Sequence, residues 1–150
     1  MNKWIVLLLS LFVFAPLAQA DESIVIVKSN HSVADTAARL EAVLLEKGMN
    51  VFARIDHAAG AAKVEMELGP TELVIFGNPK VGTPLMKCGP TIALDLPQKA
   101  LVWEDGDGEV WLAYNHPDYL AKRHGLEGCE EVLAKVSKAL AAFADAATRP

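Results

Sequence analysis

The spacing of apolar residues along the chain switches between two periods, and each switch marks a new element. Residues 23–28 read Ser-Ile-Val-Ile-Val-Lys, a β-branched run that suits a strand covered on both faces. Ser32-Val33-Ala34-Asp35 then has capping-box spacing, with Asp where Glu or Gln is usual. Behind it Val33, Ala37, Leu40 and Leu44 fall on one face of a helix that stops at Lys47-Gly48. Residues 51–56 alternate only loosely, yet their β-branched and aromatic content favours a strand. Residues 58–66 predict a short Ala-rich helix ended by Gly69-Pro70, and residues 73–76 a further strand ended by Gly77-Asn78-Pro79.

From residue 80 to residue 97 the chain carries Gly82, Pro84, Gly89, Pro90 and Pro97. That stretch predicts a structured connection with one or two helical turns, near residues 84–88 and 91–95. A hairpin follows: Ala100-Leu101-Val102-Trp103 and Val110-Trp111-Leu112-Ala113 flank Asp105-Gly106-Asp107-Gly108. Residues 117–123 predict a short helix closed at Gly125. The last helix, over residues 127–146, has Val132, Val136, Leu140 and Phe143 as its stripe, and Glu130 and Glu131 in its first turns suit the helix dipole. Residues 147–150 are expected to fray. The order is strand, helix, four strands with a long insertion, helix. Without regular βαβ alternation it implies one α+β domain with an antiparallel or mixed sheet.

Composition narrows the class. The 150 residues, 52% of them hydrophobic, suffice for one compact core and are too few for two ordinary domains. Fourteen basic against 19 acidic side chains give a net charge of −5, which argues against a nucleic-acid partner.

The N-terminus reads as an address. Lys3 precedes an apolar stretch over residues 5–14, and Ala18-Gln19-Ala20 offers small residues where a signal peptidase cuts. The stretch is short for a bilayer-spanning helix of roughly 20 residues. Residues 1–20 are therefore expected to be a cleavable signal peptide, cut after Ala20. Residues 21–150 then form an exported domain, periplasmic or secreted, with no transmembrane anchor. Export makes Cys88 and Cys129 a candidate disulfide. Two separate buried thiols are the alternative.

Chemical motifs are sparse. Residues 77–82 have Gly-x-x-x-x-Gly spacing after a strand, but no Lys precedes the hydroxyl residue Thr83, and Pro79 removes a backbone donor. The acidic run Glu104-Asp105-Gly106-Asp107-Gly108-Glu109 has neither the Gly nor the Glu that an EF-hand places at its sixth and twelfth positions, so it reads as a solvated turn. None of Ser23, Ser29, Ser32 and Ser137 lies in a Gly-x-Ser-x-Gly elbow. A Cys88–His57 pair lacks an orienting third residue. Met86 and Cys88 are soft ligands and His31, His57, His116 and His124 offer imidazoles, so that His57, Met86 and Cys88 make a weak copper-type metal set, but neither Cys-x-x-Cys nor His-x-x-x-His spacing is present.

One resemblance covers nearly the whole exported part. Phe76-Gly77-Asn78-Pro79-Lys80-Val81-Gly82-Thr83-Pro84-Leu85-Met86 resembles the domain of unknown function 302 (DUF302) family. Leu94-Asp95-Leu96-Pro97, Val102-Trp103-Glu104-Asp105, and Tyr114-Asn115 followed by Pro117 and Tyr119-Leu120-Ala121 agree with it. The resemblance implies a TATA-binding-protein-like β-α-β4-α sheet backed by helices, often a homodimer, and brings no activity. Cys88 departs from the small or polar residue expected there.

The expectation is a non-enzymatic binding or interaction module for a small apolar ligand, without a cofactor. His57, Asn78, Lys80, Thr83, Tyr114 and Asn115 are its candidate ligand contacts. A soft-metal- or redox-linked protein using Cys88, Met86 and His57 is the alternative, and an enzyme with a cleft near residues 78–83 is a third.

Overall fold

The computed structural model describes residues 23–150, so the leader expected over residues 1–20 lies outside the described residues. In chain order the elements are β1 (Ile24–Ser29), α1 (Val33–Glu46), β2 (Asn50–Asp56), α2 (His57–Ala62), β3 (Thr71–Gly77) and α3 (Pro79–Cys88). A 3-10 helix (Pro90–Leu94), β4 (Gln98–Glu104), β5 (Val110–Asn115), α4 (Pro117–His124) and α5 (Glu130–Thr148) complete it. The five strands form one sheet in the order β1-β5-β4-β3-β2, every neighbouring pair antiparallel. This is the expected α+β domain.

Helix α1 starts where the sequence says it should. The Ser32 hydroxyl accepts from the Asp35 amide at 3.1 Å and donates to the Asp35 carboxylate at 2.8 Å. The short Asp thus returns to the hydroxyl instead of the N-cap amide that a Glu would reach. At the other end Gly48 takes the left-handed φ of 73° that glycine adopts without a Cβ penalty. Val33, Ala37, Leu40 and Leu44 are all buried, as their spacing predicts. Thr36 joins them because its hydroxyl lies 2.6 Å from that of buried Ser29.

Strand alternation sorts the sheet into two faces. Val74 and Phe76 of β3, Ala100 and Val102 of β4, and Leu112 and Tyr114 of β5 share the inner face and are buried. Helices α1 and α5 pack on one another over this face. The loose alternation of β2 has a cause: pairing with β3 shifts register between Val51 and Ala53, a bulge that places Phe52 out of phase. The expectation that β1 is covered on both faces fails. It is an edge strand whose outward Ile24 and Ile26 remain 49% and 55% exposed.

Two further expectations are corrected. The connection after β3 holds a ten-residue helix, α3, beginning at Pro79 and passing through Pro84. Asn78 caps it, its Oδ1 accepting from the Lys80 amide at 2.9 Å, and proline at the first helical position needs no donor. The C-terminal residues do not fray. Ala147 and Thr148 are buried; the Thr148 carbonyl accepts from the Asn30 amide at 2.9 Å, and Arg39 donates to the Arg149 carbonyl at 3.0 Å. The last helix also begins later than expected, at Glu130, and buries Leu133 where Val132 was expected.

Cys88 and Cys129 are joined in a disulfide with Cα atoms 6.4 Å apart. It ties the end of α3 to the residue that opens α5. Gly89 follows at a close approach, where a Cβ would meet the Leu126 side chain at 2.5 Å. A bridge across a sequence separation of 41 stabilises the fold by about 4 kcal/mol in the chain-entropy description. Reduction, or a Cys88→Ser/Cys129→Ser pair, should cost up to that much unfolding free energy and lower the urea midpoint accordingly. An unchanged midpoint under dithiothreitol would remove the bridge from the stability account.

Candidate functional site

A cavity of about 550 Å³ opens between the end of the sheet and two helices. Phe76 and Gly77 of β3, Phe52 of β2 and Gln98 of β4 line the sheet side. Val81, Gly82, Leu85 and Met86 of α3 form one wall, and Val136, Ala139, Leu140 and Phe143 of α5 form the other. Leu96 and Pro97, across a cis peptide, close it from the connection before β4. Phe76 meets Phe143 edge to face, ring centroids 6.4 Å apart, so β3 and α5 are keyed together at the cavity. The volume lies within the range of small-molecule sites, which are largely apolar with a few placed polar groups.

Those polar groups are Asn78, Thr83, Gln98 and Lys135; among the described residues no Asp, Glu, His or Arg lines the cavity. Asn78 is spent on structure. Besides capping α3, its Nδ2 donates to the Gly48 carbonyl at 3.1 Å, fixing the end of α1 beside the start of α3. Lys135 donates to Glu131 one turn earlier on α5, at 2.6 Å. Gln98 is only 8% exposed, and its amide makes no side-chain hydrogen bond among the described residues.

Of the residues expected to contact a ligand, Asn78 and Thr83 line this cavity, while His57, Lys80, Tyr114 and Asn115 do not. His57 opens α2 and is exposed. Lys80 lies on the exposed side of the first turn of α3. Tyr114 is packed on the inner face, where burial pushes its phenol above the usual tyrosine range. Asn115 ends β5 opposite Ile24. Met86 lines the cavity, but Cys88 is bonded to Cys129 and offers no thiolate. Among the described residues no group of three or more His, Cys, Asp or Glu converges as a metal site would.

Gln98 went unread in the sequence. Its signal was available: Gln98, Ala100 and Val102 alternate on the buried face, so a lone amide heads an otherwise apolar stripe. The pattern was masked by the proline-rich stretch in front of it.

The acidic turn between β4 and β5 is the solvated turn expected, with Asp105 at its centre. Its carboxylate accepts from the Trp111 indole at 2.7 Å and from the amides of Glu109 and Asp107 at 2.9 and 3.0 Å. The indole bond first, then the amides, hold this carboxyl below the usual range. A second polar cluster lies outside the cavity. The His124 ring sits between Thr91 Oγ1 at 3.1 Å and Asp95 Oδ2 at 2.5 Å, and Arg123 reaches the same Asp95 oxygen at 3.5 Å. Hydroxyl, imidazole and carboxylate stand in the order of an activated nucleophile. None of the three lines the cavity, and the cluster clasps the 3-10 helix to α4.

The family described as domain of unknown function DUF302 matches residues 25–143. Among curated proteins, the fluoride-specific ion channel FluC 1 of Brucella suis biovar 1 is 51% identical over 123 residues, which are 81% of this chain and 48% of that protein. The FluC 1 of Brucella abortus biovar 1 is equally similar, with 46% of its length covered. The chain thus spans about half the length of the curated relatives it matches. Among solved structures, the uncharacterized conserved protein DUF302 from Bacillus stearothermophilus aligns with a TM-score of 0.75 at 20% identity, over 83% of this chain and 97% of that one. That likeness shows a shared fold. Among the described residues no helix is long and apolar enough to cross a membrane.

Proposed function

The chain belongs to the DUF302 family, and from that premise we propose that it is a non-enzymatic binding module whose cavity holds a small apolar ligand. The observation that carries this reading is the cavity itself: about 550 Å³, walled by α3 and α5, with aromatic and aliphatic side chains and without a carboxylate. Water gains few partners on such a lining, and an apolar molecule displacing it is bound by the area it removes from water. A neutral fluorescent dye such as N-phenyl-1-naphthylamine should bind the purified protein with enhanced emission. Ala139→Phe, which fills the space from α5, should abolish that binding while leaving the far-ultraviolet circular dichroism unchanged. Equal binding by wild type and variant would sink the cavity as the site.

Homodimerisation is a second part of the proposal, supported by the outer face of the sheet. Ile24, Ile26 and Ile55 are exposed there, Trp103 and Trp111 pair across β4 and β5, and Leu73, Ile75 and Leu101 are half-buried beside them. A second copy of the same face would cover these side chains, as an isologous contact does. Sedimentation should give a dimer at micromolar concentration and a monomer for Ile26→Glu. A monomeric wild type would count against it.

Export is the third part. The support is the Cys88–Cys129 bridge, since disulfides persist in oxidising compartments. Protein expressed with residues 1–20 and recovered from the periplasm or medium should begin at Asp21 on N-terminal sequencing. Recovery only inside the cell with residue 1 intact would overturn that reading.

A further inference from the structure

Two side chains of the cavity lining, Gln98 and Thr83, make no hydrogen bond among the described residues, and of the two Gln98 is the buried one. Gln98 heads β4 opposite Phe76, is more than nine-tenths buried, and lines the space between α3 and α5. No hydrogen bond ties its side-chain amide to another described residue, although neighbouring Lys99 donates twice, to the carbonyls of Asp95 and Pro97 at 3.0 and 2.9 Å. No fully enclosed side-chain nitrogen or oxygen among the described residues lacks a partner. The Gln98 amide therefore keeps some exposure, and the cavity that Gln98 lines is where a ligand would meet it. An amide set this deep in an apolar lining keeps only narrow access to water, and a ligand that filled the cavity would have to offer it a partner.

The other polar lining residues do not compete for a ligand in this way. Asn78 has both ends of its amide engaged, and the Lys135 ammonium is held by Glu131. Thr83 is an exposed residue at the rim, whereas Gln98 is buried. An amide supplies one acceptor oxygen and a donor NH₂ side by side. It offers a carboxylate no charge, and the one cation in the lining among the described residues, Lys135, is paired with Glu131 at the surface. Burying an ionised head against it would leave that charge uncompensated. A hydroxyl or a second amide, each both donor and acceptor, matches it.

We infer that Gln98 is the polar anchor of the cavity, and that the ligand is an uncharged, largely apolar molecule with one hydroxyl or amide group that pairs with it. The inference rests on the cavity being the binding site and deepens that reading. The remainder of such a molecule would lie along Phe76, Leu85, Leu140 and Phe143.

The test is competition between N-phenyl-1-naphthylamine and either 1-decanol or decanoate at pH 7.5, on wild type and on Gln98→Leu. Leucine removes the amide at similar volume, and Gln98→Met serves if the leucine variant does not fold. Wild type should bind decanol at least tenfold more tightly than decanoate. The variant should bind decanol about tenfold more weakly than wild type, the size expected when a buried hydrogen bond is lost, with dye affinity unchanged. Equal decanol affinity in both proteins, or a preference for decanoate, would overturn the anchor while the dye shows the cavity still in use. Failure of the dye and decanol alike to bind wild type would overturn the cavity reading itself.

Discussion

The packing of α1 on α5 across the inner face of the sheet is the constraint from which the remaining geometry follows. The sheet presents Val74, Phe76, Ala100, Val102 and Leu112 to one side, and removing them from water demands a cover. Each of these side chains larger than alanine contributes on the order of 2 kcal/mol when buried. Helix α1 supplies Val33, Ala37, Leu40 and Leu44, and α5 supplies Val136, Leu140 and Phe143. Because β1 and β2 lie at opposite edges of the sheet, α1 has to cross its whole width to connect them. That crossing leaves α5 to cover the rest.

The cavity is the part of this cover that is not filled. Near the ends of β3 and β4 the sheet is walled by α3, whose second turn contains a proline and whose first is held by the Asn78 cap. The disulfide pins the far end of α3 to the first residue before α5. Two walls tethered at one end, and keyed to the sheet by Phe76 against Phe143, give a space with a defined shape. Its chemistry follows from its makers. Faces selected to bury apolar surface leave an apolar void, with one amide where the stripe of β4 begins. The outer face of the sheet, with its paired tryptophans and exposed isoleucines, is the other surface left without a helical cover.

Much of this architecture was legible along the chain, and the failures have local causes. Periodicity located α1, the β4–β5 hairpin and most of the α5 stripe, because burial on one side repeats at the period of the backbone. It faltered at β2, where a bulge breaks alternation, and at α3, where Pro84 reads as a breaker though the helix passes through it. It misjudged the C-terminal residues, since nothing in Ala147 or Thr148 announces the carbonyl contacts from Asn30 and Arg39. Of the polar residues expected as ligand contacts, Asn78 and Thr83 reach the cavity and His57, Lys80, Tyr114 and Asn115 do not, because polarity does not tell on which side of an element a side chain emerges.

The α+β class, the order of elements, the family and the apolar faces could be read along the chain, because each depends on residues close together in it. That Cys88 meets Cys129, that a cavity lies between α3 and α5, and that Gln98 lines it came from the packing of the elements. Those are juxtapositions of residues tens of positions apart. They arise from how helices of fixed length lie on a twisted sheet, and no local pattern encodes a distance between elements.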